Sequence, residues 1–197
     1  MVEQRDARRQ LYERAYRQAG FFTAAQARDA GYSPQSQKYH ADRGNWQRVE
    51  RGLYRLAEWP SDEPDSYTRW SVWSHGSGII SHDSAAAVHG IGDLDPQAVH
   101  LTLPSVTRAR RSGVIFHVGE LPAGDVEQRE TFRVTTPTRT ILDLADSPIT
   151  QEQFTELLAD ALDRALMTRS ELTRRADDFG SRAALRIERS LNVEQQA

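Results

Sequence analysis

Phe21-Phe-Thr-Ala-Ala-Gln-Ala-Arg-Asp-Ala-Gly-Tyr-Ser-Pro-Gln-Ser-Gln-Lys-Tyr-His40, followed by Gly44-Asn-Trp-Gln-Arg-Val-Glu-Arg-Gly-Leu-Tyr-Arg-Leu56, carries its own punctuation. Thr23-Ala-Ala-Gln26 has the spacing of a capping box, in which the Thr hydroxyl and the Gln amide satisfy two orphan N–H groups at a helix start. The short Ala-rich helix stops at Gly31, which tolerates the left-handed conformation of a helix end. Ser33-Pro34 then starts a second helix, with Ser as N-cap and Pro at the first helical position. That helix runs to Gly44. Trp46–Val49 and Leu53–Leu56 read as short strands around Glu50-Arg51-Gly52, a hairpin or wing. Two helices joined by a turn of about three residues form the motif that lays its second helix in the DNA major groove. The expectation is a winged helix-turn-helix that binds double-stranded DNA.

Working outward, residues 5–19 read as a supporting helix, with Leu11, Tyr12, Ala15, Tyr16 and Ala19 on one face. Phe21, Phe22, Trp46, Leu53 and Tyr54 complete the small core. Trp59–Asp65 holds two prolines and three acids and reads as a linker. The expected organisation is therefore a DNA-binding domain at 1–58, a linker at 59–65 and a mixed α+β domain at 66–197. In the second part, Ser66–Ser74 and Ser84–His89 read as helices, the latter closed by Gly90. Ala98–Leu103, Val114–Val118 and Thr131–Val134 read as strands. Thr136-Pro137 opens a helix. Capping-box spacing recurs at Thr150–Gln153 and Thr168–Glu171. Between them Phe154, Leu157, Leu158, Ala161, Leu162, Ala165 and Leu166 keep a helical apolar stripe. Ser181–Leu191 is the last expected helix. The fold class is α+β: a winged helix-turn-helix, then a small sheet with C-terminal helices.

The chain of 197 residues carries a net charge of −3, unlike a typical nucleic-acid binder. Its distribution is more telling. Met1–Glu58 has 11 Lys+Arg against 7 Asp+Glu, a net +4, and Trp59–Ala197 has 14 against 21, a net −7. Lys38 is the single lysine, and it sits on the expected recognition helix. No cysteine is present, which excludes disulfides and Cys-based zinc fingers. No apolar run is long enough to cross a bilayer, and the Arg-rich start has no apolar signal region behind it. A cytoplasmic location follows as the expectation.

On the recognition helix, Ser33, Gln35, Ser36, Lys38, Tyr39 and Arg43 can reach DNA, with Thr23 at the neighbouring helix start. Gln35 suits adenine and Lys38 guanine. Polar Ser36 and Gln37 leave the register of the buried face open by one residue, and His40 is placed inward. Arg48 and Arg51 on the wing suit phosphate or the minor groove. Arg55 is divided between that role and packing its stem on the domain. Thr107–Ser112 is a basic run, read as a solvated hairpin loop. His82 and His89 lie two helical turns apart with Asp83 adjacent, but no third ligand is identifiable, so no metal site is expected. No catalytic motif appears: there is no Gly-rich phosphate loop, no His-Glu-x-x-His and no cysteine nucleophile. Neither a cofactor nor enzymatic activity is expected.

Phe22–Leu56 resembles the winged-helix domain of the AbiEi family of antitoxins. Ser81-His-Asp-Ser-Ala-Ala-Ala-Val-His-Gly90 resembles the opening of that family's second domain, and Val134-Thr-Thr-Pro-Thr-Arg-Thr-Ile-Leu-Asp-Leu-Ala145 its later strand-to-helix motif. The resemblance spans about residues 20–175. It implies the antitoxin of a type IV toxin–antitoxin pair. The N-terminal domain would repress its own operon at inverted repeats, with two copies on the DNA. The second domain would counter a nucleotidyltransferase-like toxin functionally, with direct binding of the toxin and action on the toxin's target both open. The alternative is a stand-alone winged-helix transcriptional regulator whose second domain dimerises or senses a ligand.

Overall fold

The computed structural model describes residues 2–60, 65–105 and 111–194. It divides into two compact units: residues 1–78 with 130–132, and 79–129 with 133–197.

The first unit begins with α1 (Val2–Tyr16). Its Leu11 and Ala15 are fully buried, with Phe22, Ala27, Tyr32, Trp46 and Leu56 around them. Complete burial of side chains such as Leu11 and Phe22 contributes about 1.5–3 kcal/mol each. β1 (Phe21–Thr23) leads directly into α2 (Ala24–Asp29). Thr23 Oγ1 accepts the Gln26 N–H, and the Gln26 amide oxygen accepts the Thr23 N–H, so the capping box forms. α3 (Pro34–Asp42) follows, its N-cap Ser33 accepting the Ser36 N–H. β2 (Trp46–Glu50) and β3 (Leu53–Leu56) make the hairpin, and the antiparallel sheet has the order β1-β3-β2. Gly52, at φ +78°, makes the turn, and its carbonyl accepts the Ala24 N–H at 2.8 Å. The wing is thereby tied to the start of α2.

The compact division falls later than the acidic stretch at 59–65. Trp59 sits edge-on to Tyr16 at 4.9 Å and packs on the core around Leu11 and Phe22. Residues 61–64 lie outside the described residues. α4 (Asp65–Trp73) places Val72 in a cluster with Phe21 and Leu53, and Arg69 pairs with Glu50, the last residue of β2 before the turn. Thr131 meets Thr68 at 2.6 Å, and Phe132 meets the Tyr67 ring. A proline-rich acidic composition marked a break in hydrophobicity, while the apolar face of α4 decides the domain it joins.

The second unit holds β4 (Ile79–Ile80), α5 (His82–His89), β5 (Val99–Leu103), β6 (Val114–Val118), β7 (Val126–Gln128) and β8 (Arg133–Thr135). The sheet order is β6-β5-β4-β8-β7. β5 pairs in parallel with β6, and β4 with β8; the β4–β5 and β7–β8 pairs are antiparallel. The basic run therefore joins parallel strands, which a hairpin cannot do. Its residues 106–110 are outside those described. β4 and β7 are too short for the alternation by which strands are read, and the expected strand at 131–134 shifts to 133–135.

Four more helices complete the unit: α6 (Pro137–Ala145), α7 (Gln151–Asp163), α8 (Arg169–Phe179) and α9 (Ser181–Glu194). Ile141, Leu142, Leu144, Phe154, Leu158, Ala161, Leu172 and Ile187 form their core. Of the expected stripe, Ala165 alone turns outward; it lies beyond the helix end at φ +53°. The Thr150–Gln153 box closes both ways. At α8 only half forms: Thr168 caps Glu171, but the Glu171 carboxylate accepts from Thr138 Oγ1 at 2.9 Å instead. No helix among the described residues is long and apolar enough to cross a membrane.

Candidate nucleic-acid interface

Gln37 settles the register of α3. It is 5% exposed, and its amide Nε2 donates to the carbonyls of Ala24 at 3.1 Å and Tyr32 at 3.0 Å. One side chain thus bolts α2, the turn and α3 together. Polar chemistry at this inward position reflects a latch on two carbonyls, a role periodicity cannot reveal. Gln37→Leu keeps the volume but removes both bonds. We expect a loss of about 1–2 kcal/mol in urea unfolding of this unit.

With Gln37 inward, the helical repeat turns Gln35, Lys38, Tyr39 and Asp42 outward. All four are exposed, as is Arg43 just beyond the helix, and Ser36 lies at the flank. Tyr39 is 55% exposed, and Arg43 stacks its guanidinium over the ring at 5.4 Å. Lys38 Nζ pairs with Asp42 at 2.5 Å across one turn. Both side chains are solvent-exposed, so the pair contributes under about 1 kcal/mol and is readily exchanged. Asp42 was not among the residues expected here. The helical repeat puts it on the face of Gln35 and Lys38, and Gln37 turns that face outward.

His40 points inward, stacked on Trp46 at 4.8 Å and edge-on to Tyr32 at 5.4 Å. Asn45 holds its Nδ1 at 3.1 Å. Burial, and then the Arg8 guanidinium, keep its pKa below the usual histidine value. Burial likewise raises the Tyr32 phenol, with Tyr12 adding to the shift and Arg8 opposing it. Both rings are neutral packing groups at physiological pH.

On the hairpin, Arg48 and Arg51 are exposed, with Arg51 in the two-residue turn. Arg55 is 6% exposed. Its Nε donates to the Ala19 carbonyl at 3.3 Å, its Nη2 to Pro60 at 2.8 Å, and its guanidinium covers the Phe21 ring at 4.7 Å. It is a structural cation. Thr23 must also be withdrawn as a contact residue: it is 4% exposed and its hydroxyl caps α2. The capping-box signal was right about the helix start, and that same bond removes the hydroxyl from any ligand. The outward set is Ser33, Gln35, Ser36, Lys38, Tyr39 and Arg43 with Arg48 and Arg51.

His82 and His89 are not brought together as ligands. His89 Nε2 donates to the Thr135 carbonyl at 2.7 Å, and its Nδ1 faces Arg129 at 3.3 Å.

Comparison with known proteins supplies the family. Residues 9–57 match the family described as transcriptional regulator, AbiEi antitoxin. Residues 77–193, more than half of the chain, match the AbiEi antitoxin C-terminal domain. No curated protein matches the sequence. Among solved structures, the crystal structure of the RV2827C protein from Mycobacterium tuberculosis is similar, with a TM-score of 0.58 at 17% identity. The likeness covers 87% of this chain and 71% of that one, and at this identity it speaks for the fold alone. Both family descriptions name an antitoxin, and that of residues 9–57 also names a transcriptional regulator. The chain belongs to the AbiEi antitoxin family.

Proposed function

We propose that the protein is the antitoxin of a type IV pair that binds operator DNA through α3 and the wing and represses its own operon. The observation that carries this reading is the outward face of α3. Gln35, Lys38 and Tyr39 stand opposite the Gln37 latch, and Arg43, Arg48 and Arg51 flank them. Side chains near the start of such a helix read base edges, while later and flanking cations hold phosphate. A reader this small buries only about 600–1,000 Å² of its surface. Two copies on inverted half-sites supply the missing specificity. The second unit, net acidic by sequence, counters a nucleotidyltransferase-like toxin.

Asp42 adds a specific expectation. It neutralises Lys38 in the free protein and brings a negative charge to the DNA face. Asp42→Asn should raise affinity for non-specific duplex roughly threefold to tenfold and narrow the gap between operator and random DNA. Fluorescence anisotropy with both duplexes measures it.

A promoter–reporter fusion and growth rescue test the whole reading together. Repression of the chain's own upstream region, and survival of cells expressing the neighbouring gene, are the expected outcomes. Repression without rescue would leave a plain regulator.

A further inference from the structure

Three histidines far apart in sequence converge in the second unit: His82 at the start of α5, His100 on β5 and His117 on β6. One nitrogen from each ring lies within 4.8 Å of the other two. His100 Nδ1 and His117 Nε2 face each other at 3.1 Å. The His82 ring lies face-on to His117 at 3.5 Å and must turn out of that stack to share an ion with it, while the His100 and His117 rings lie 5.1 Å apart. The pairing of β5 with β6 makes this possible, since it sets Thr102 beside His117 and so puts His100 one pleat away on the same face.

From this convergence and the oxygen partners of the outer ring nitrogens, we propose that His82, His100 and His117 bind one divalent transition-metal ion, with Zn2+ the best fit. Ligand nitrogens about 2.0–2.1 Å from a tetrahedral zinc stand a little over 3 Å apart, close to the His100–His117 spacing. The second observation is independent of that spacing. Metal-bound histidines commonly anchor their other nitrogen on an oxygen, often a carboxylate. His100 Nε2 lies 3.4 Å from Asp83 Oδ2. His82 Nδ1 lies 3.0 Å from Ser81 Oγ, which accepts from Thr102 Oγ1 at 2.7 Å. Two of the three rings are thus already oriented from behind. An all-nitrogen set suits zinc, copper or nickel and disfavours magnesium or calcium. The three rings are each half-buried, so the cluster is within reach of an ion from solvent.

The sequence alone could not assemble this site. His89, the neighbour of His82 at helical spacing, is held by Thr135 and Arg129, and the two true partners come from strands.

The test is a Zn2+ titration of tag-free protein against a chromophoric chelator. The result expected is one equivalent bound per chain. His100→Gln and His117→Gln should each weaken binding about 100-fold or more, and His89→Gln should not change it. Asp83→Asn, which leaves all three ligands in place, should cost about tenfold to 100-fold. Long-range 1H–15N spectra should show ring-nitrogen shifts at His82, His100 and His117 upon zinc addition. If His100→Gln fails to fold, Asp83→Asn and the ring shifts carry the test. Absence of a bound equivalent, binding unchanged by these substitutions, or shifts confined to other histidines would overturn the proposal.

Discussion

Arg139→Leu is expected to destabilise the second unit by about 3–5 kcal/mol. Arg139 Nη1 meets Asp125 at 3.1 Å, its Nε meets Asp143 at 2.8 Å, and its guanidinium covers the Phe179 ring at 4.9 Å. Asp125 is 3% exposed and Asp143 4%. Removing the arginine leaves Asp125 with Arg175 at 2.5 Å, whereas Asp143 loses its charged partner. The cost is that of an uncompensated buried carboxylate, far larger than the net worth of the original pair. Urea unfolding of the two proteins measures it. Pairing the change with Asp143→Asn should recover a substantial part of the loss, because the orphaned charge is then gone.

The same carboxylate makes a pH prediction whose sign is opposite to the usual one. Burial pushes Asp143 up to about 6, against the pull of Arg139. Its unfolded value lies near 3.9. Between those values the folded state holds a proton that the unfolded state has lost, so this group's contribution is fully present below about 4 and declines as pH rises through 6. The stability difference between the wild type and Asp143→Asn should therefore change across that window and stay flat above it. A difference that does not vary with pH would mean that Asp143 titrates alike in both states.

The second large effect is on DNA. Lys38→Ala combined with Arg51→Ala should reduce operator affinity roughly 100-fold at moderate salt. If both side chains contact phosphate, the slope of log affinity against log salt should also fall by about 2. Both residues are exposed, and the one ion pair involved, Lys38 with Asp42, is solvent-screened. The fold should survive, with far-UV circular dichroism unchanged. Arg55→Ala should behave differently. Its bonds to Ala19 and Pro60 are internal, so its loss should appear first in unfolding and only secondarily in DNA affinity.

Much of the reader was legible because its signals are local. Thr23 with Gln26 and Ser33 with Ser36 fix helix starts through bonds spanning three residues, and the glycine at 52 fixes the turn through its own positive φ. Periodicity likewise found α7, whose apolar face is nearly complete. What escaped were arrangements between distant parts of the chain. Ser36 and Gln37 left the register of α3 open because the carbonyls that Gln37 holds, on Ala24 and Tyr32, become close only in the folded turn. α4 was assigned to the second domain because composition marks linkers, whereas the burial of Val72 with Phe21 and Leu53 decides membership. The parallel pairing of β5 with β6 brings His100 beside His117, and neither residue carries a local motif.

We propose that α3 and the wing read the chain's own promoter as paired copies. Hydroxyl-radical footprinting of the upstream region should then show two protected half-sites related by inversion, spaced by about one helical turn or a multiple of it. Protection should disappear in the Lys38→Ala, Arg51→Ala double variant at the same protein concentration. Undiminished protection in that variant, or no discrete protected site in the wild type, would contradict it.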